Sequence, residues 1–183
     1  STHPMSDERR DTAQRKIQST YASLTSREVQ RDRYLDAIAP LRRIQPALEA
    51  FQKGEELLMA KKYDQAQDQF ASGLRLAPDD YAGLLLAAKC RLAREHYAES
   101  AQLAREAQSA YPGEPQAHHV TGLALAKNRR FEPALTEFNR YAELLPGNPF
   151  TLFYQGFCQE GMNRRPAAAE AYQAFLKYDP ENA

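Results

Sequence analysis

No stretch of this sequence approaches the roughly 18 consecutive apolar residues that a membrane-spanning helix needs. The opening residues, STHPMSDERR, also lack the apolar core of a secretory signal. Direct membrane insertion is therefore not expected. An excess of charge is missing too, because 24 Lys and Arg balance 24 Asp and Glu. That balance removes the long-range attraction behind nonspecific binding to nucleic acid or to anionic membranes, so nucleic acid is not an expected partner. Valine and isoleucine are scarce, whereas Ala, Leu, Gln, Glu and Arg dominate, which favours helix over strand. With 26% charged and 43% hydrophobic residues the chain has the composition of a folded domain, and the expectation is an all-α one.

Recognisable catalytic machinery is also absent. Zinc proteolysis needs two histidines one helical turn apart, a glutamate base between them and a third ligand, read as HExxH plus a distal acid. The sequence has no such element, and no GxSxG, GxxxxGK[ST] or CxxC either. Its histidines are His3, His96, His118 and His119. The adjacent pair would point about 100° apart on a helix, a poor arrangement for joint ligation, so no metal or other cofactor is expected in this chain. The two cysteines, Cys90 and Cys158, stand two repeat periods apart. Equivalent helices at that separation lie on the order of 20 Å apart. A disulfide needs Cα atoms within about 7 Å, so the thiols are expected to be reduced unless the chain associates.

What is present is a period. Pro78, Pro112, Pro146 and Pro180 follow one another at 34 residues, and the same residue classes return around each. A small residue recurs at Gly54, Ala88, Gly122 and Gly156. Tyr63, Tyr97 and Phe131 follow, then the small Ala66, Ser100, Ala134 and Ala168, then Phe70, Ala104, Phe138 and Tyr172. Small residues on both helices of a hairpin let them approach closely, although glycine costs a helix about 1 kcal/mol. The large residue one turn further along the same face fills the space between them, and proline stops the second helix. Repeat two lacks the ring, with Ala104 in its place, so Leu103 or a neighbouring leucine is expected to compensate, or the hairpin to be weaker. In repeat four Pro166 is expected to start the last helix.

This set resembles the signature of the tetratricopeptide repeat (TPR) family. The resemblance implies a right-handed superhelix of four helical hairpins, at 47–80, 81–114, 115–148 and 149–182 within a repeat region 47–183. Stacked repeats bury one another and leave a concave surface. In the family that groove is lined by first-helix positions that correspond here to Leu48, Phe51, Glu55 and Leu58; Ala82, Leu85, Lys89 and Leu92; Gln116, His119, Leu123 and Ala126; and Phe150, Phe153, Phe157 and Glu160. The expected ligand is a protein or peptide, with Phe51, Leu58, Leu85, Lys89, Leu92, His119, Leu123, Phe150, Phe153 and Phe157 as its contacts. Phe150, Phe153 and Phe157 recur at i, i+3 and i+7 and mark one helix stripe, which is read equally well as core. Chaperone-binding members hold a terminal carboxylate with a basic residue and asparagines where this chain has Phe51, Leu85, His119 and Phe153, so a carboxylate clamp is not expected.

Residues 1–46 read as a polar helical hairpin that links to or caps the array. One helix starts near Ser6 with Asp7 and Glu8 in its first turn, and another near Thr25 or Ser26 before Arg27 and Glu28. Pro40 is expected to end the second helix and Pro46 to begin the first repeat, with Tyr21, Leu24, Tyr34, Leu35, Ile38 and Leu41 buried in the cap. The segment from Thr2, His3 and Pro4 to Arg9 resembles the Thr-His-Pro-x-x-x-x-Arg segment that closes the protease domain of BepA-like zinc metallopeptidases, some of which continue into TPRs. That resemblance implies the C-terminal, substrate- or partner-binding part of an envelope quality-control peptidase, periplasmic, inactive alone, with zinc in the parent and His3 as an auxiliary ligand. The alternative is a free-standing TPR adaptor or assembly scaffold. A third reading is self-association through the last repeat, where the flank around Phe175 and Leu176 has no capping helix in the sequence.

Overall fold

The computed structural model describes residues 6–24 and 31–178. Among these there are nine α-helices, one short 3-10 turn and no strand. His3, Thr25, Ser26, Arg27, Glu28 and Pro180 lie outside the described residues. The helices are α1 (Ser6–Gln18), α2 (Arg31–Met59), α3 (Tyr63–Leu76), α4 (Tyr81–Ala93), α5 (Tyr97–Ala110), α6 (Pro115–Lys127), α7 (Phe131–Leu144), α8 (Phe150–Gly161) and α9 (Arg165–Leu176). None of them is long and apolar enough to cross a membrane. The chain divides into two compact units at Arg42 and Arg43.

The first unit departs from the sequence reading. None of its described residues is buried, and Tyr21, Leu24, Tyr34 and Leu41 are exposed, with Leu35 and Ile38 half-buried. These side chains are thus not buried as expected. The reason lies in α1, whose sequence SDERRDTAQRKIQ offers Ile17 as its one large apolar residue and hence no stripe to press against another helix. Helix α2 also does not stop at Pro40 or restart at Pro46, since both lie within its span. Each proline removes one backbone donor, and the carbonyls left without it belong to Asp36 and Arg42. Both residues are exposed, so water can take the missing bond.

In the second unit the period becomes geometry. Turns fall at Pro78, Pro112 and Pro146, between α3 and α4, α5 and α6, and α7 and α8, and Pro166 stands in the first turn of α9. From α3 to α9 each helix packs on the next, and α4 also touches α6. Inside the first, third and fourth hairpins an aromatic ring lies directly on a glycine: Phe70 on Gly54, Phe138 on Gly122 and Tyr172 on Gly156. A Cβ on Gly122 or Gly156 would meet the ring at 2.7 Å, and on Gly54 closer still. Repeat two replaces the pair by Ala88 and Ala104, each fully buried. There the helices are close enough for the Ser100 hydroxyl to donate to the Ala88 carbonyl at 2.8 Å. Leu103 packs beside both adjoining core clusters, as expected of a compensating side chain.

The corner inside each hairpin repeats as faithfully. Lys61, Glu95, Arg129 and Asn163 stand 34 residues apart and adopt φ of 58°, 63°, 59° and 60°. The residue after each donates to a carbonyl five positions back: Lys62 to Leu57, His96 to Arg91, Arg130 to Leu125 and Arg164 to Gln159, at 2.8 to 2.9 Å. This is the Schellman closure of a helix C-terminus, usually built on glycine. Both cysteines are free and buried. Burial pushes the Cys158 thiol up to about 12 and raises that of Cys90.

Two stability changes follow. Gly122→Ala should lower unfolding free energy by about 1–3 kcal/mol, overriding the roughly 1 kcal/mol that alanine adds to a helix. Gly113→Ala, with nothing within 4 Å of its Cβ, serves as the control in the same urea titration. Equal effects at the two sites would contradict the ring-on-glycine packing. Arg129→Gly should instead raise stability, by up to about 1 kcal/mol, and Asn163→Gly by less, because asparagine tolerates the left-handed region. A lower melting temperature for Arg129→Gly would show that the corner carries no strain.

Candidate functional site

The first helices of the four repeats, the last part of α2 with α4, α6 and α8, carry the residues expected to face a partner. They do not form one uniform strip. Phe51 and Leu85 are 3% and 7% exposed and belong to the core, which corrects their place among the groove contacts. Phe51 is inserted where Gly73 and Gly83 leave a notch, each glycine lying so close that any Cβ would clash with the ring. Leu85 packs with Ala107 and Ala117 in the cluster that joins repeats two and three. Both side chains hold neighbouring repeats together, and the joint hides them.

The row containing Glu55, Lys89, Leu123 and Phe157 is more open, with Glu55 and Lys89 exposed, Leu123 half-buried and Phe157 37% exposed. Its character changes along the array, charged in repeats one and two and apolar in repeats three and four. Leu58 and Leu92 are half-buried, and Leu48 is exposed. In repeat four Phe150, Phe153 and Phe157 do not share one set of neighbours. Phe150 and Phe153 each lie 5.7 Å from the Phe175 ring, and Phe153 also lies 5.7 Å from Tyr172. Phe157 instead meets Phe131 edge-on at 5.9 Å.

His119 is half-buried among rings, with centroids 5.1 Å from Tyr141, 5.4 Å from Tyr154 and 6.1 Å from Phe138. Burial lowers its pKa below the usual histidine value, and the charge of Lys89 lowers it further. Its neutral ring is thus part of an aromatic wall. His118 has a different role. Its Nδ1 lies 2.8 Å from Glu137 Oε2, and Gln108 Nε2 donates to both Glu137 and the Thr121 hydroxyl at 2.9 Å. Thr121 donates onward to the Ala117 carbonyl at 2.8 Å.

This network was missed by sequence reasoning, although the 34-residue offset contains the signal. Gln108, Thr121 and Glu137 stand one period after Leu74, Ala87 and Leu103, which line an open cavity of about 170 Å3 at the preceding joint. One period later Gln155 takes the middle place and donates to Asn139 at 2.8 Å. The three joints therefore differ in chemistry: apolar at the first, a hydrogen-bonded set around Glu137 at the second and an amide pair at the third. Among the described residues no three His, Cys, Asp or Glu side chains come together to hold a metal ion, so they do not fit a zinc site.

A sequence profile described as tetratricopeptide repeat matches residues 51–115 and 91–149. The protein CTR9 homolog of Arabidopsis thaliana is 31% identical over 131 residues, covering 66% of this chain and 12% of that protein. The chain thus spans about an eighth of that relative's length. The structure of MamA, from residue 41 to its end, from Desulfovibrio magneticus RS-1 superposes with a TM-score of 0.70 at 20% identity over 94% of this chain and 93% of that one. The first TPR domain of Spaghetti (RPAP3), bound to an HSP90 peptide, superposes with a TM-score of 0.57 at 22% identity over 70% and 94%. At such identities these two structures bear on the fold alone.

The His119 environment has a pH signature. Folding lowers its pKa, so between the folded value and the unfolded value of about 6.5 the unfolded chain binds more protons than the folded one. Its contribution is present in full above about pH 6.5 and is lost as pH falls towards the folded value. The unfolding midpoint should drop between pH 7.5 and 5.5, and His119→Gln should reduce that drop. An unchanged pH dependence in the variant would remove His119 as its source.

Proposed function

The chain belongs to the tetratricopeptide repeat family, and from that membership we propose that its repeat unit binds a protein partner through the surface of its first helices. The observation that carries this reading is the open row Lys89, Leu123 and Phe157, where a charged side chain gives way to apolar ones still accessible to solvent. A partner laid along this row would place an acidic group near Lys89 and apolar side chains against Leu92, Leu123 and Phe157. His119, half-buried and held neutral, supplies an aromatic wall and no second cation. The buried Phe51 and Leu85 hold the surface in shape without touching the partner.

The same array is proposed to be the C-terminal part of a bacterial zinc metallopeptidase of the cell envelope, acting in protein quality control in the periplasm. Support comes from the order of the sequence, in which Thr2, His3, Pro4 and Arg9 stand upstream of a polar helical stretch and then the repeats. In this reading the repeats gather substrates or an assembly partner, and the chemistry belongs to a protease domain. Zinc would be held by that domain's ligands, with His3 as an auxiliary one, since the described residues offer no site of their own.

A photoreactive amino acid placed at Lys89 should give crosslinked adducts with envelope proteins in cells of the source organism, whereas the same group at Arg105, exposed on a second helix, should give few. Equal adducts from both positions would defeat the binding surface. The reading frame ahead of Ser1 should encode HExxH followed by a distal acidic ligand. A start codon and export signal directly upstream would instead leave a free-standing adaptor.

A further inference from the structure

The zero net charge of the chain is not spread evenly over its hairpin corners. At the first corner Lys61 and Lys62 precede Asp64, and at the second Arg94, 2.8 Å from Asp64, is followed by an exposed Glu95. The third and fourth corners, 127–133 and 161–167, bring Lys127, Arg129, Arg130, Arg164 and Arg165, all exposed, and Glu132 as their one carboxylate. These two corners touch. Arg164 Nη2 lies 2.9 Å from Glu132 Oε2, and a Cβ on Gly161 would meet the Phe131 ring at 2.6 Å. Among the described residues no carboxylate pairs with Lys127, Arg129, Arg130 or Arg165. The period shows why: Asp64 and Glu132 hold Arg94 and Arg164, and the place midway between the two acids is Ala98. Glu99 beside it is held by Arg91 at 3.1 Å.

Neither arginine of the third corner helps its local structure. Arg129 has φ 59°, which suits glycine, and Arg130 is the N-cap of α7 and makes no side-chain cap hydrogen bond there. A cation at that end of a helix also opposes the macrodipole. Side chains that break local rules without a structural return mark a functional place. They border an apolar surface as well. Leu123 and Lys127 lie one turn apart on one face of α6, and the Phe157 ring meets Phe131, the neighbour of Arg130, edge-on at 5.9 Å.

We propose that this corner, with Leu123 and Phe157, recognises an acidic segment of a protein partner, in which a bulky apolar side chain adjoins three or more Asp or Glu. The proposal rests on the reading that a partner lies along the first helices, and it adds that partner's chemistry. The apolar side chain sits on Leu123 and Phe157, and the carboxylates take Lys127, Arg129 and Arg130, whose planar guanidinium forks suit them. Nucleic acid fits less well, because a long polyanion needs a continuous cationic track and the charge stops at the second corner. A flat anionic membrane would meet the corner cations without reaching the half-buried Leu123.

The probe is a fluorescein-labelled peptide, Gly-Glu-Leu-Phe-Glu-Glu-Asp-Asp-Gly, and the receptor is the full chain. Anisotropy should show saturable binding that weakens at least tenfold with Arg129→Gly plus Arg130→Asp, and at least threefold with Phe157→Ala. The double variant should fold at least as stably as the unaltered chain by its urea midpoint, which separates lost binding from lost structure. Lys61→Gly plus Lys62→Asp, the same change two periods earlier, should leave binding unchanged. A peptide with Gln and Asn in place of its acids should not bind. Absent binding, equal losses at the two corners, or equal binding of the Gln and Asn peptide would overturn the proposal. Phosphatidylserine vesicles or poly-uridine RNA held more tightly than the peptide, and lost with the same double variant, would overturn it too. If adducts at Lys89 form in cells and the double variant leaves them unaltered, the first-helix surface stands and the acidic partner falls. Adducts missing while the peptide binds would fault the Lys89 contact alone.

Discussion

The contact between an aromatic ring and a glycine on the facing helix sets the distance at which each hairpin closes. Phe138 is fully buried, and its ring lies where a Cβ on Gly122 would have to be, so neither residue can change size alone. Repeat two obeys the same constraint by a different division of volume, Ala88 against Ala104, with Leu103 supplying bulk nearby. Once the hairpin distance is set, the next helix can approach only if it too is small where it lands, and Gly83, Ala117 and Thr151 are. Packing within repeats and packing between them are thus one steric problem.

That uniform frame tolerates variety at its seams. The sites filled by Leu74, Ala87 and Leu103 at one joint hold Gln108, Thr121 and Glu137 at the next, where His118 completes a hydrogen-bonded set. A half-buried polar set of this kind is directional when complete and loses a hydrogen bond if one member is removed. The apolar seam before it leaves an open cavity.

Much of this was readable before any coordinates. Prolines at 34 residues place the turns, and the alternation of small and aromatic residues places the helix contacts, because both are short-range steric requirements that residue type alone reports. The groove was less legible. Phe51 and Leu85 share a helical position with Phe153, but exposure depends on whether another helix lies over it, which residue type does not report. Helix α2 runs on through Pro40 and Pro46 because proline's local penalty does not decide where the carbonyls it leaves free are exposed and can be hydrated. The left-handed corners escaped notice because Lys61, Glu95, Arg129 and Asn163 share no chemistry, only a place in the period.

Those corners limit how such a chain can change in evolution. Each joins two helices through one left-handed residue, with the following amide already committed to a carbonyl on the first helix. A single inserted amino acid there would turn every later side chain of the second helix by about 100° and carry its buried face into water. Length changes should therefore be better tolerated in the proline-bearing loops, or as whole 34-residue repeats, than at these corners.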